Sequence, residues 1–181
     1  MAAPAHMIEA VEAAMKHIQA ELRAELEAQG HRLTGALEES VQYRVFSRGS
    51  TVVVGEMSAL SYGFAIELGV PASRIPYSGR SGRGGRSAYI QGLVRFFELR
   101  GLEPREALSA AFATATVHKR EGMPTASSFG FSKNGRRTGF LSRTLTAALP
   151  EVTRIIEQKT GVILTLSLPA EIKLEAVKIA A

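Results

Sequence analysis

The first thirty residues constrain the fold more than any other stretch. Ile8, Val11, Met15, Ile18, Leu22 and Leu26 recur at intervals of three and four, with Ala and Glu between them, and the pattern stops at Gly30. Apolar residues at this spacing line one side of an α-helix, and a glycine after the last turn is a common stop. The pattern predicts a single-faced helix of about six turns. Its stripe has to be buried, so the rest of the chain must supply a surface for it. The next runs do. "VQYRVFS" and "STVVVGE" are rich in β-branched and aromatic residues, and Arg48-Gly49 between them is the length of a two-residue hairpin loop. Val41, Tyr43 and Val45 alternate with polar Gln42 and Arg44, giving that strand one wet face. Val52 to Val54 are apolar on both faces, which places them inside a sheet or against another subunit.

Further along, Thr34-Gly35 marks a break followed by one helical turn, and "SALSYGFAIELG" reads as a short helix capped by Ser58 or Ser61 and stopped at Gly69. Pro71 to Gly85 is a loop. "AYIQGLVRFFELRG" and "EPREALSAAFATATVHKREG" are helices, the second with Pro104 in its first turn, where the missing N–H does no harm. "MPTASSFGFSKNGRRTG" is a second long loop, and "FLSRTLTAALPEVTRIIEQKTG" is a helix kinked or restarted at Pro150. "VILTLSL" is a last strand, and the residues after Pro169 are left unassigned. The expected fold is α+β and a single domain over 1–181. A long N-terminal helix packs on a small antiparallel sheet, the hairpin plus the C-terminal strand. A basic, mostly helical insertion spans 71–143, with mobile loops at 76–87 and 123–139. A sheet covered by one helix keeps open edges and apolar surface, so self-association is expected.

Charge sharpens this division. The 181 residues carry 22 Lys and Arg against 17 acids, a net of +5. Between Pro71 and Arg143 there are 13 basic residues and 4 Glu, a net of +9; the remainder holds 9 and 13, a net of −4. A basic partner-facing region on a mildly acidic scaffold is implied. All the acids are Glu and there is no Cys, which excludes disulfides and thiolate chemistry and removes the usual Asp ligands for Mg²⁺. No apolar run is long enough for a membrane span, and the N-terminus lacks the basic start and apolar run of a secretory signal. The expected setting is the cytosol, or a particle assembled there.

The glycine-arginine stretch Tyr77–Ile90 invites a phosphate-loop reading that fails residue by residue. Gly79 and Gly84 have the spacing of a Walker loop, but Gly85-Arg86 stands where Lys-Ser or Lys-Thr is required. Gly82 and Gly84 begin a dinucleotide fingerprint, but Ser87 replaces its third glycine. Arg80, Arg83 and Arg86, with Tyr77 and Tyr89 nearby, suit phosphate contact or a loop that takes shape only against a partner. The second reading is preferred. The four histidines show no metal-ligand spacing, His17 and Glu21 are ordinary neighbours one turn apart, and there is no GxSxG elbow. No catalytic residue, metal or cofactor is expected, and the chain is read as a non-enzyme. Lys133, Arg136 and Arg137 join the loop arginines as expected contacts to DNA or protein.

Tyr62 to Gly69, "YGFAIELG", has a lone Glu67 two residues before a glycine. With Thr34-Gly35-Ala36-Leu37, the hairpin ending Val54-Gly55, and Tyr62, Glu67 and Gly69, the chain resembles the tail-completion family of long-tailed bacteriophages. These are the small proteins that join head to tail. Gly63 departs from that pattern, which has Ala there. Gly122-Met123-Pro124 followed by Phe140-Leu141 resembles the end of the helical insertion in larger members. The likeness runs over about residues 8–168. It implies a structural virion protein at the neck, assembled in the host cytoplasm as a homo-oligomeric ring, six-fold by analogy. Portal or connector, tail-tube and terminator proteins would be its neighbours, with non-specific contact to packaged DNA. Tail terminator, or another minor tail or capsid protein, is the alternative within the same particle. A basic nucleic-acid-binding protein is the alternative from another class.

Overall fold

The apolar stripe of the first helix is the axis on which the other elements are laid. In the computed structural model, which describes residues 4–79 and 87–161, helix α1 runs Ala5–Ala28. Leu22 and Leu26 meet Leu37, Val41 and Phe140 in the main core, with Ile18, Met57, Ile66 and Leu141 around it. Each such buried aliphatic side chain contributes roughly 1.5–3 kcal/mol. Helix α2 (Ala36–Ser40) supplies Leu37. The carbonyl of Val41, where the chain turns into the sheet, accepts from Gln19 Nε2 at 2.7 Å and an Arg23 guanidinium nitrogen at 3.0 Å, both on α1.

Strands β1 (Gln42–Arg48) and β2 (Val52–Ser58) pair antiparallel, with Tyr43 opposite Met57 and Val45 opposite Gly55. Arg48 pairs with Val52, so the turn is Gly49-Ser50-Thr51, one residue longer than expected. Alternation along the strands puts Val45 and Gly55 on the face toward α1. There Gly55 makes room for α1: a Cβ at that position would lie 2.6 Å from Met15 Sδ. The other face holds Phe46, Val54 and Val52, with the Arg44 and Arg48 guanidiniums 5.3 and 5.7 Å from the Phe46 ring centre. Arg44 is paired with Glu56 across the strands at 2.7 Å. Val52 is 49% exposed. Among the described residues the sheet has these two strands. The third strand expected at 162–168, and the segment after Pro169, lie outside the described residues.

Helix α3 (Gly63–Leu68) starts without the seryl cap expected from Ser58 or Ser61. Main-chain turns take its place: the Gly63 and Phe64 amides donate to the Leu60 and Ser61 carbonyls at 2.9 and 3.1 Å. The chain then leaves the core. After a 3₁₀ turn at Ala72–Arg74 come α4 (Ala88–Glu98), capped by the Ser87 hydroxyl, and α5 (Pro104–Glu121). Ala107, Ala111 and Ala115, four apart and wholly buried, form a flat strip against Ile90 and Val94 of α4. The two helices therefore pack closely around a core of their own.

This excursion returns to where it left. Val70 and Met123 exchange backbone hydrogen bonds, both 2.7 Å. Gly69 (φ 71, ψ 178) and Gly122 (φ 83, ψ −165) flank this bridge in a backbone region that side chains exclude. A Cβ on Gly122 would sit 2.6 Å from the Val70 carbonyl oxygen, and one on Gly69 2.7 Å from that of Met123. Two short glycine motifs, far apart in the sequence, thus form one clasp.

The segment 123–139, expected as a mobile loop, is tied to the core through a 3₁₀ helix at Ala126–Phe131 and contacts with the end of α1 described below. The last described helix, α6 (Phe140–Thr160), runs antiparallel to α1: Phe140 reaches Leu22 and Leu26, while Ala148 and Val152 reach Ala14. It passes through Pro150 without restarting. Pro150 and Thr146, whose carbonyl lacks a donor as a result, are both exposed, so water can satisfy the freed group.

Candidate functional site

Helix α6 begins at Gly139 and has no side-chain cap from its own segment. Its first turn is instead capped from α3. The Glu67 carboxylate accepts the Leu141 amide at 2.7 Å and the Ser142 amide at 3.2 Å, and the Glu67 carbonyl accepts Gly139 N–H at 2.9 Å. Leu141 and Ser142 hold the second and third helical positions, the donors an N-cap side chain normally takes. A negative charge there also meets the positive end of the helix dipole. Glu67 is 9% exposed, and this position in the fold explains why a lone acid sits in an otherwise apolar run.

The other singled-out residues have local roles. Thr34 Oγ1 accepts the Ala36 amide at 3.3 Å, and Gly35 (φ 77) starts α2. Tyr62 precedes α3 and is half exposed. Gly63 faces Leu37 and Phe140, and a Cβ there would lie 3.3 Å from Leu37 Cδ1.

The basic loop residues divide. Arg80, Arg83 and Arg86 lie outside the described residues. The Arg137 side chain and the Lys133 backbone meet the carbonyl end of α1, which carries no basic residue in its own last turn, while the Lys133 side chain stays largely exposed. The Lys133 amide and the Ser132 hydroxyl both donate to the Ala28 carbonyl, at 2.8 and 3.3 Å. An Arg137 guanidinium nitrogen donates to the Gln29 carbonyl at 2.6 Å. Lys133 Nζ pairs with Glu27 at 2.9 Å, and that hydrogen bond holds the Glu27 carboxyl below the usual range. Exposed carbonyls and a partial negative charge at a helix end attract such donors. Arg137 therefore serves the protein's own scaffold, and Lys133 forms an exposed pair with Glu27.

Arg136 remains, joined by Arg143, which the sequence reading did not single out. Together with Ser142, Thr146 and Ala147 they line an open depression of about 400 Å³ at the start of α6. A signal for Arg143 was present: no acid occurs between Glu121 and Glu151, so "GRRTGFLSR" has no neutralising neighbour in sequence.

Two histidines are placed to respond to pH. His31 Nε2 donates to the Arg137 carbonyl at 3.1 Å, and His118 Nδ1 lies 2.7 Å from the Tyr89 hydroxyl between α4 and α5. Burial pushes both below the ordinary histidine value of 6.5, with the Arg137 charge adding to the effect at His31. Below about pH 6.5 the unfolded chain thus binds more protons than the folded one, and stability falls as pH drops. The urea midpoint should be lower at pH 5 than at pH 7.5. The double variant His31→Gln/His118→Gln should lose most of that difference; an unchanged profile would show that neither histidine is responsible. Glu121 and Glu151, held below 4.5 by hydrogen bonds from Arg120 and Arg154, contribute only at lower pH.

Among the described residues, no cluster of three or more His, Cys, Asp or Glu is placed to hold a metal ion, and no helix is long and apolar enough to cross a membrane. Comparison with models of known protein families, with curated proteins and with solved structures gives no match to this chain.

Proposed function

We propose that the protein is a structural component of a tailed-phage or prophage virion, forming a homo-oligomeric ring at the head–tail junction. The observation that carries this reading is the outer face of the hairpin. Phe46, Val54 and the half-exposed Val52 line it with two arginines, and α1 covers only the opposite face. Such a face, with strand edges unpaired among the described residues, is stabilised by a second copy laid against it. Arg and aromatic side chains together are typical of protein interfaces. The order of elements supports the same reading: a long helix, a T-G-x-L turn, a hairpin with Val-Gly in its second strand, and an acid-glycine motif closing a helical insertion.

Native mass spectrometry and negative-stain averaging of the full chain test it. The expected result is a closed ring of single stoichiometry. Phe46→Glu/Val54→Glu should dissociate the ring while leaving the helical circular dichroism unchanged, because both side chains lie on the face away from α1. A wild-type chain that stays monodisperse and monomeric at high concentration would count against the proposal.

A further inference from the structure

We propose that the depression between Arg136 and Arg143 binds the phosphodiester backbone of nucleic acid without reading its sequence. This goes beyond the assembly reading and stands or falls separately from it.

Both cations are exposed and, unlike Lys133 and Arg137, have no acidic or carbonyl partner among the described residues. The Arg136 backbone and the Arg143 side chain are held in place. The Arg136 amide donates to Ser132 Oγ at 3.0 Å and Asn134 Oδ1 at 3.1 Å, and Asn134 Nδ2 is in turn held by Glu25 at 3.1 Å. The Arg143 side chain lies over the bare backbone of Gly139, with its Nε 2.9 Å from where a Cβ would stand. Guanidinium groups present fork-like donors that match phosphate oxygens. The Ser142 hydroxyl on the same wall adds a donor. Thr146 Oγ1 is turned to the Ser142 carbonyl at 2.9 Å. Glu67, which caps the same end of α6, faces inward and is occupied by the Leu141 and Ser142 amides.

The wall chemistry favours a phosphate backbone over an acidic protein segment. Among the described residues that line the depression Ala147 is the one wholly apolar side chain and none is aromatic, so they offer little to grip a partner's hydrophobic residues or to stack on a base. The sequence pI of about 9.8 adds a long-range field that draws a polyanion to the surface.

The test is fluorescence anisotropy with a labelled DNA duplex of arbitrary sequence, titrated with the full chain across a salt series. Wild type should bind, with affinity falling as salt rises. Arg136→Gln/Arg143→Gln should flatten the slope of log K against log salt by about two and weaken binding at low salt about ten-fold or more. Arg136→Lys/Arg143→Lys should keep the slope, and Lys133→Gln should change it less than the double glutamine variant does. The idea is overturned if the glutamine variant binds as wild type does, or if wild type ignores the duplex. It is equally overturned if wild type binds a polyglutamate peptide or inorganic phosphate in preference to the duplex. Assembly mass and circular dichroism recorded on the same samples separate this result from ring formation.

Discussion

Glu67→Ala should lower the stability of the protein by about 2–4 kcal/mol, seen as a fall in urea midpoint with little change in slope. Among the described residues the carboxylate is the one side-chain cap on the first turn of α6, and its loss leaves the Leu141 and Ser142 amides without acceptors next to the buried Phe140. An N-cap alone contributes about 0.5–2 kcal/mol. Here the acceptor is charged and joins two elements 74 residues apart, so the effect should exceed that of an ordinary cap. Glu67→Gln keeps an acceptor oxygen and should recover about half of the loss. Should Glu67→Ala prove no worse than Glu9→Ala, an exposed acid on α1, the capping role is refuted.

A second large effect is expected at the clasp. Gly122→Ala places a Cβ in a backbone region that only glycine occupies comfortably, at a cost of about 1–3 kcal/mol. It also drives that Cβ to 2.6 Å from the Val70 carbonyl, the acceptor of the Met123 amide. The bridge should open, and limited proteolysis should then cut within 71–122 well before the core. Gly135→Ala is the control, with positive φ but open space around it, and should have the smaller effect. Equal resistance of the two variants to protease would show that the bridge does not hold the excursion closed.

The long helix and the hairpin were legible because each has a periodicity one face of which must be buried. What escaped notice depended on partners remote in sequence. Arg48 looks like a turn residue, yet it pairs with Val52 and pushes the turn one residue on. Ser58 and Ser61 look like caps, but main-chain turns had already satisfied the amides they would have taken. Lys133 stays exposed, as loop cations usually are, but Arg137 does not; the sign to the contrary lay in α1, which ends in "LEAQG" with no basic residue to meet its carbonyls. Glu67 was conspicuous as a lone acid, but its partners are amides of α6, and no local pattern can point to them.

The last turn of α1 carries a consequence for synthesis. This helix leaves the ribosome before the elements it packs on; its terminal carbonyls wait for Ser132 and Arg137, 104 and 108 residues later, and the part of its apolar stripe around Ala14 waits for α6. Contacts at such separation are slow to form. The nascent helix can meet α2 and the hairpin early, but the part of its stripe that packs on α6 stays uncovered until almost the whole described chain is present.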